Sequence, residues 1–380
     1  MKIAVPVESD SAEARVATTP EAVKRFAALG VQVTVETGAG AGSDFSDLAY
    51  RDEGATVAKS LATTMADADV VLTVRRPSAE QIGAMRSGMV VVGQMDPFGE
   101  RAGLQAMADA GLTVFSLELM PRISRAQSMD VLSSQSNLAG YKAVIDGAAT
   151  YGRAMPMMMT AAGTIAPAKV FVMGAGVAGL QAIATARRLG AVVTATDVRP
   201  AAREQVASLG AKFIAVEDDE FRAAETDAGY AREMSAEYRK KQAALVAGHI
   251  AAQDIVITTA LIPGRPAPEL ISRAMVESMK PGSVIVDLAV ERGGNCAVSK
   301  PGKVIRHKGV TVIGHLNVAG RLAADASGLY ARNVFNFLQP LIDREKGALA
   351  IDWDDEIVAG TLIARDGALV HPMLTSGEKS

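Results

Sequence analysis

A single cysteine, Cys296, in 380 residues rules out an internal disulfide framework and a cysteine-based zinc cluster. Its place is that of a small buried or loop residue. Aromatic residues make up only 4% of the chain, so aliphatic and methionine side chains must fill the interior. Charge of one sign is also missing. The formal net charge of −3 gives no electrostatic footing for nucleic acid or an anionic membrane. The N-terminus, Met-Lys-Ile-Ala-Val-Pro-Val-Glu, turns polar too soon for a signal peptide. The uncharged stretch Val170 to Ala186 holds three glycines and Gln181, so it reads as strand, turn and helix and not as a membrane span. The expectation is a soluble, cytoplasmic protein.

An apolar content of 49% with 35 glycines fits an α/β protein, and 380 residues are too many for one core. Short apolar strands are expected at Ile3 to Val7, Val31 to Glu36, Asp69 to Val74, Val90 to Gly93 and Leu112 to Ser116. Thr18-Thr19-Pro20-Glu21 is a helix start, with a hydroxyl cap, proline in the first turn and an acid at the positive end. That helix is expected to stop before Gly30. This first region alternates strand and helix but has no phosphate-binding glycine fingerprint.

The fingerprint lies further on. Val170 to Met173 runs straight into Gly174-Ala175-Gly176-Val177-Ala178-Gly179, followed by a helix to Leu189 and a second strand, Ala191 to Thr196, ending at Asp197. A dinucleotide pyrophosphate needs this order. Gly174 makes the tight turn, Gly176 lets the backbone approach the phosphates, and Gly179 lets helix and strand pack closely. The helix N-terminus offers N–H groups and the positive end of a dipole. Asp197 lies 18 positions after Gly179, near the spacing of a carboxylate that accepts from the adenosine ribose. A carboxylate there repels a 2′-phosphate, so NAD(H) is expected over NADP(H). Arg199 could clamp a phosphate or could equally be a solvated loop arginine.

A helix (Ala201 to Leu209) and the strands Lys212 to Val216, Asp254 to Thr259, Ser283 to Val290 and Val310 to Ile313 continue the alternation. The segments Thr259 to Gly264, Asp287 to Val290 and His315 to Val318 therefore become candidate cofactor walls. From Ala323 through Asn333 to Arg344 the pattern is helical. Glu356 to Thr361 and Ala368 to His371 read as short strands returning to the first domain. The expected architecture is α/β with two Rossmann-like domains, the second a doubly wound parallel sheet. The first spans 1–135 plus 325–380 and the second 136–324. Two segments stand out. Met120 to Asn137 is dense in hydrogen-bonding side chains and reads as a polar site loop. Glu217 to Met234, long for a connection and containing Tyr230, reads as a mobile flap, with a helix from Ser235 to Ala247 after it.

Over essentially its whole length the chain resembles the NAD(H)-binding alpha subunit (domain I) of proton-translocating NAD(P) transhydrogenases. The resemblance is carried by Met120-Pro121-Arg122-Ile123-Ser124-Arg125-Ala126-Gln127-Ser128-Met129-Asp130, by Leu132 to Tyr141, by Met157 to Thr164 and by Thr258 to Gly264. More distantly the chain is similar to the alanine dehydrogenases, through Arg15 and the nucleotide domain. The resemblance implies that Arg122 and Asp130 orient the nicotinamide carboxamide. It implies that Gln127 reaches toward a second nucleotide, that Ser133 lies near the same ring, and that Tyr230 closes over bound NAD(H). Gly174, Gly176, Val177, Gly179, Asp197, Val198, Arg199, Gly229 and Leu261 are then the candidate cofactor-binding residues. It further implies a homodimer, peripheral on the inner face of the cytoplasmic membrane through its partners. Those partners are an NADP(H)-binding domain and a membrane subunit, and no nucleic acid is involved.

An amino-acid dehydrogenase must also move a proton on its substrate. Alanine dehydrogenases have a lysine in the segment matching Val74 to Pro77, where this chain has Arg75, which stays protonated and cannot act as donor or base. Their histidine falls at Gly93-Gln94-Met95-Asp96, which has none, and their aspartate after the Asp287 strand appears as Glu291. Arg15 is retained and reads better as half of a structural ion pair. Direct hydride transfer between two nicotinamides needs no such machinery. A non-catalytic NAD-binding module is the third class, and in part it overlaps the favoured one.

Overall fold

The computed structural model describes residues 1–222 and 235–375. The chain divides into two compact units, 1–135 with 319–380 and 136–318. The return to the first unit thus begins at Ala319, six positions before the 325 expected from sequence.

In unit 2 the strand Lys169–Met173 pairs in parallel with Val192–Thr196 on one side and Ile255–Thr258 on the other. Lys212–Phe213 lies outside Val192–Thr196, while Val284–Asp287 and Val310–Gly314 extend the other flank. Lys303–His307 closes that edge antiparallel. Numbered along the chain within the unit, the order is 3-2-1-4-5-7-6. The reversal point falls between Lys169–Met173 and Ile255–Thr258, and an open α/β sheet of this kind binds ligands beyond the strand ends at that reversal. The central strands Ile255–Thr258 and Val284–Asp287 are buried along their whole length because both faces are covered, whereas the edge strand Lys303–His307 is charged and largely exposed. Val170, Val172, Ile255 and Ile257 pack on one face, and Phe171, Met173 and Val256 on the other.

Unit 1 repeats the plan. Its parallel strands are Lys2–Val5, Gln32–Glu36, Thr56–Ala58, Val70–Leu72, Val90–Gly93 and Thr113–Ser116. The antiparallel pair Leu362–Arg365 and Ala368–Leu369 is added beside Thr113–Ser116. Alternation again separates two cores. Ile3, Val5, Val70, Leu72, Val90 and Val92 face one, Ala4, Val71, Val91 and Val114 the other.

Four local expectations change. Glu356–Thr361 is a helix, not a strand. Asp355 caps it, its Oδ1 accepting from the N–H of Ile357 at 2.7 Å and of Val358 at 3.4 Å. The β-branched run Ile357, Val358 and Thr361 suggested a strand, but all three side chains bury on one helical face. The helix from Ala323 ends at Leu338, because Pro340 cannot continue it, and Ile342–Asp343 pairs instead with Ala348–Leu349. The strand expected over 212–216 covers only Lys212–Phe213. Finally, Met120 to Asn137 is a loop only at Met120 to Ile123 and at Asp130. Ser124–Met129 is a 3-10 helix and Val131–Thr150 an α-helix.

Candidate functional site

At the reversal point of unit 2 the glycine turn is built by close contacts. Gly174 has φ +104°, a left-handed conformation that a side chain would strain, and its N–H donates to Thr196 O at 2.8 Å. Its carbonyl accepts from Thr259 Oγ1 at 3.1 Å, tying the turn to the neighbouring strand end. A Cβ on Gly179 would lie 1.8 Å from Gly174 O, so helix Val177–Arg188 touches the turn only because residue 179 has none. The same helix start is approached from Val131–Thr150, where a Cβ on Gly140 would fall 2.0 Å from Ala178 O. A Cβ on Gly176 would meet nothing within 4 Å. Gly176 is also the N-cap, and no side chain caps the helix there. The three fingerprint glycines therefore do three separate jobs. Gly174 makes the left-handed turn, Gly179 permits the close packing, and Gly176 leaves the space at the uncapped helix start open, as the approach of a pyrophosphate requires.

Asp197 follows the second strand, and its Oδ2 accepts from Ala175 N–H at 2.7 Å. Arg199, its side chain 35% exposed, turns back onto Asp197. Its Nε and Nη2 reach Asp197 Oδ1 and Oδ2 at 2.9 and 3.1 Å. Val177, Val198, Leu261 and Ile262 are exposed at 41%, 62%, 54% and 45%, so apolar side chains that a core would bury stand at strand ends. An adenosine and a pyrophosphate fit this combination of open turn, carboxylate and apolar surface.

The wall after Ile255–Thr258 is fixed from behind. Asn295, fully buried, donates from Nδ2 to Ala260 O and Pro268 O at 2.9 and 2.8 Å and accepts from Ala260 N–H at 3.0 Å. Asn295 is held in turn by Asp287, whose carboxylate accepts from the N–H groups of Ala289, Asn295 and Cys296 and from the hydroxyls of Thr258 and Ser299. Within the candidate wall Asp287 to Val290, Asp287 itself is thus a buried strut. Burial pushes the Cys296 thiol up to about 11, in keeping with a small buried residue. The His315 segment is likewise engaged inside unit 2. His315 Nδ1 pairs with Asp146 Oδ2 at 3.3 Å, and Asn317 N–H donates to Glu291 Oε1. Sequence reading placed Thr259 in a candidate wall but missed Asn295. The legible signal was Gly293-Gly294, both at positive φ, where a Cβ on residue 294 would sit 2.8 Å from Asp287 Oδ2.

In unit 1, Ala126 and Met129 anchor the 3-10 helix in the core, while Arg122 and Gln127 are exposed. Asp130 and Ser133 are brought together. Asp130 caps the following helix, Oδ1 accepting Ser133 N–H at 2.9 Å and Oδ2 the Ser133 hydroxyl at 2.5 Å. Arg125 reaches the Asp355 carboxylate at 2.6 and 3.1 Å, and a Cβ on Gly360 would lie 2.7 Å from Pro121 Cγ. The returning tail therefore buttresses this segment. Much of the hydrogen bonding that looked like site chemistry is internal. Ser134 donates to Asn333, and Gln135 donates to Ala326 O. Tyr230 and Gly229, and most of the expected flap, lie outside the described residues.

Arg15 does not present a free guanidinium. It is buried and forks onto Glu13, Nε to Oε1 at 2.7 Å and Nη2 to Oε2 at 2.6 Å, with Nη1 on Gln135 at 2.9 Å. Arg75 Nε takes Glu13 Oε2 at 2.8 Å. Burial alone would raise the Glu13 carboxyl, but Arg15 and Arg75 hold it down to about 2. In the same unit Gln94 has a buried amide oxygen with no hydrogen-bond partner among the described residues. Neither a pair-bonded arginine nor a carboxyl held that low is poised to exchange a proton with a substrate.

The comparisons with known proteins agree with this geometry. Residues 4–139 match the family described as alanine dehydrogenase/PNT, N-terminal domain, and residues 143–372 its C-terminal domain. Over 380 residues the chain is 55% identical to the first portion of the NAD(P) transhydrogenase alpha subunit of Rhodospirillum rubrum, covering 99% of each. The solved structure of transhydrogenase from Sinorhizobium meliloti is 60% identical with a TM-score of 0.89, covering 97% of this chain and 100% of that one. The alanine dehydrogenase of Halomonas elongata is more distant, 30% identical over 98% of this chain and 95% of its own. With Rossmann-ordered sheets, a built dinucleotide turn and these relatives, the chain belongs to the alanine dehydrogenase/PNT family and, within it, to the NAD(P) transhydrogenase alpha subunits.

Proposed function

We propose that the chain binds NADH and delivers its hydride directly to NADP+ held on a separate domain, within an assembly whose membrane component moves protons. The observation that carries this reading is the glycine turn: open space at Gly176, a left-handed backbone at Gly174, a backbone contact at 179 that only glycine permits, and Asp197 beside them. Bound NADH supplies the hydride. The chain's residues bind, orient and exclude water, and aligning two reactants can be worth roughly 7–11 kcal/mol. Arg122 and Asp130 orient the carboxamide end, Ser133 fixes Asp130, and exposed Gln127 extends toward the second nucleotide. Val177, Val198 and Leu261 supply apolar contact to the adenosine half. The pair-bonded state of Arg15 and Arg75 supports a hydride relay over an amino-acid dehydrogenase, because neither arginine can pass a proton. A homodimer on the inner membrane face, held by an NADP(H)-binding domain and a membrane subunit, completes the proposal.

Fluorescence titration checks the cofactor assignment. NADH is expected to bind at least about tenfold more tightly than NADPH, since a 2′-phosphate facing Asp197 meets a like charge. Equal dissociation constants would contradict it.

A further inference from the structure

Both oxygens of Asp197 are already committed. Oδ1 accepts from the Arg199 N–H at 2.8 Å and Nε at 2.9 Å, and Oδ2 from Ala175 N–H at 2.7 Å and Arg199 Nη2 at 3.1 Å. Arg199 Nη2 also donates to Ala175 O at 3.1 Å, closing a ring from the carboxylate to the phosphate turn. A carboxylate offers about four lone-pair sites, and four donors occupy them. A ribose diol needs two of those sites. The Ala175 and Arg199 backbone donors are fixed by the turn, so the side-chain donors are the ones that must leave. Leaving is cheap, because the Arg199 side chain is 35% exposed while Asp197 is only 7% exposed, and an ion pair reaching solvent gains little over two hydrated ions.

Resting on the reading that this turn binds a dinucleotide, we propose that Arg199 is the displaceable counter-ion of the ribose-binding carboxylate and a latent receptor for a 2′-phosphate. While Asp197 holds it, the guanidinium competes with the ribose of NAD(H) and softens the repulsion of NADP(H). Released from Asp197, the same guanidinium stands where a 2′-phosphate would arrive, and its planar fork matches phosphate oxygens. Discrimination between the two cofactors is then set by a pair, with its two members pulling in opposite directions. Strand-end spacing alone points only to the carboxylate.

The test is calorimetric titration of the full chain with 5′-AMP and with adenosine 2′,5′-bisphosphate, probes that carry the ribose end without the nicotinamide. Wild type is expected to prefer 5′-AMP. Failure to bind either probe would count against the dinucleotide reading itself and not against the role of Arg199. In Asp197→Asn, which keeps an acceptor for Ala175 N–H, affinity for the bisphosphate is expected to rise about tenfold, the scale of one charge-assisted contact. In Arg199→Ala, which keeps the Ala175 N–H contact to Asp197 and gives up only the side-chain contacts of Arg199, 5′-AMP is expected to bind more tightly and the bisphosphate more weakly. The double variant Asp197→Asn/Arg199→Ala is expected to lose the gain. Unchanged preference in Arg199→Ala, or a bisphosphate gain that survives in the double variant, would overturn the proposal.

Discussion

Gly179→Val is expected to abolish NADH binding and to cost about 3 kcal/mol or more of stability in the 136–318 unit. The new Cβ would fall 1.8 Å from Gly174 O and 2.8 Å from its carbonyl carbon, and both are backbone atoms that no rotamer change can clear. The helix start must then move off the turn, taking the phosphate-facing N–H groups with it. Gly176→Ala separates binding from folding. Nothing lies within 4 Å of that Cβ and φ is −75°, so alanine is expected to fold with near-native thermal stability. The methyl group instead projects where the pyrophosphate must approach, and affinity is expected to drop at least about tenfold. Thermal unfolding and NADH titration of the two variants check both statements. A Gly179→Val protein with wild-type affinity would remove the packing role given to that residue.

The second large effect belongs to Glu13. Its side chain is fully buried beside Arg15, which is 3% exposed, so Glu13→Gln leaves an interior guanidinium without its counter-charge and with one of its two Glu13 acceptors gone. Removing one member of a buried pair costs roughly 3–5 kcal/mol. The pH dependence follows from the direction of the shift. The Glu13 carboxyl lies near 4.5 when unfolded and about 2 when folded. Its contribution is therefore fully present above about 4.5 and is lost as pH falls toward 2. Wild type is expected to lose stability steeply across that window, and Glu13→Gln, already lacking the pair, to lose less. Parallel melting curves for the two proteins from pH 5 to about pH 2.5 would contradict the assigned role.

How much of this was legible in the chain depended on the range of the interaction. The turn Gly174 to Gly179 could be read because strand, turn, helix and carboxylate follow one another within 28 positions, Val170 to Asp197, and each glycine answers a local backbone demand. The doubly wound parallel class was legible from the repeated alternation of apolar strand and helix, whereas the strand order was not written in it. What escaped was set by distant or ambiguous partners. Asp355 turns a β-branched run into a capped helix, and nothing in Ile357-Val358 announces this. The polar stretch after Met120 reads as one loop in sequence because its side chains outnumber the demands of packing. Several of them are spent on capping and on tying helix to helix, as with Asp130 and Ser133 or Ser134 and Asn333. Arg199 has two open readings in sequence, phosphate clamp or solvated loop. The pair it forms with Asp197 is a third, decided by a side-chain torsion that spacing does not encode. Asn295 serves through contacts with residues about thirty positions away and carries no motif.

The most direct test of the whole account is hydride exchange. The chain is mixed with an isolated NADP(H)-binding transhydrogenase domain, NADH carrying deuterium at the transferred position, and an NADP+ analogue. The expected result is appearance of the label in the reduced analogue without exchange with water, together with no NADH oxidation when pyruvate and ammonia replace the domain. Label washed out into solvent, or NADH consumed by pyruvate and ammonia, would contradict direct transfer between two bound nicotinamides.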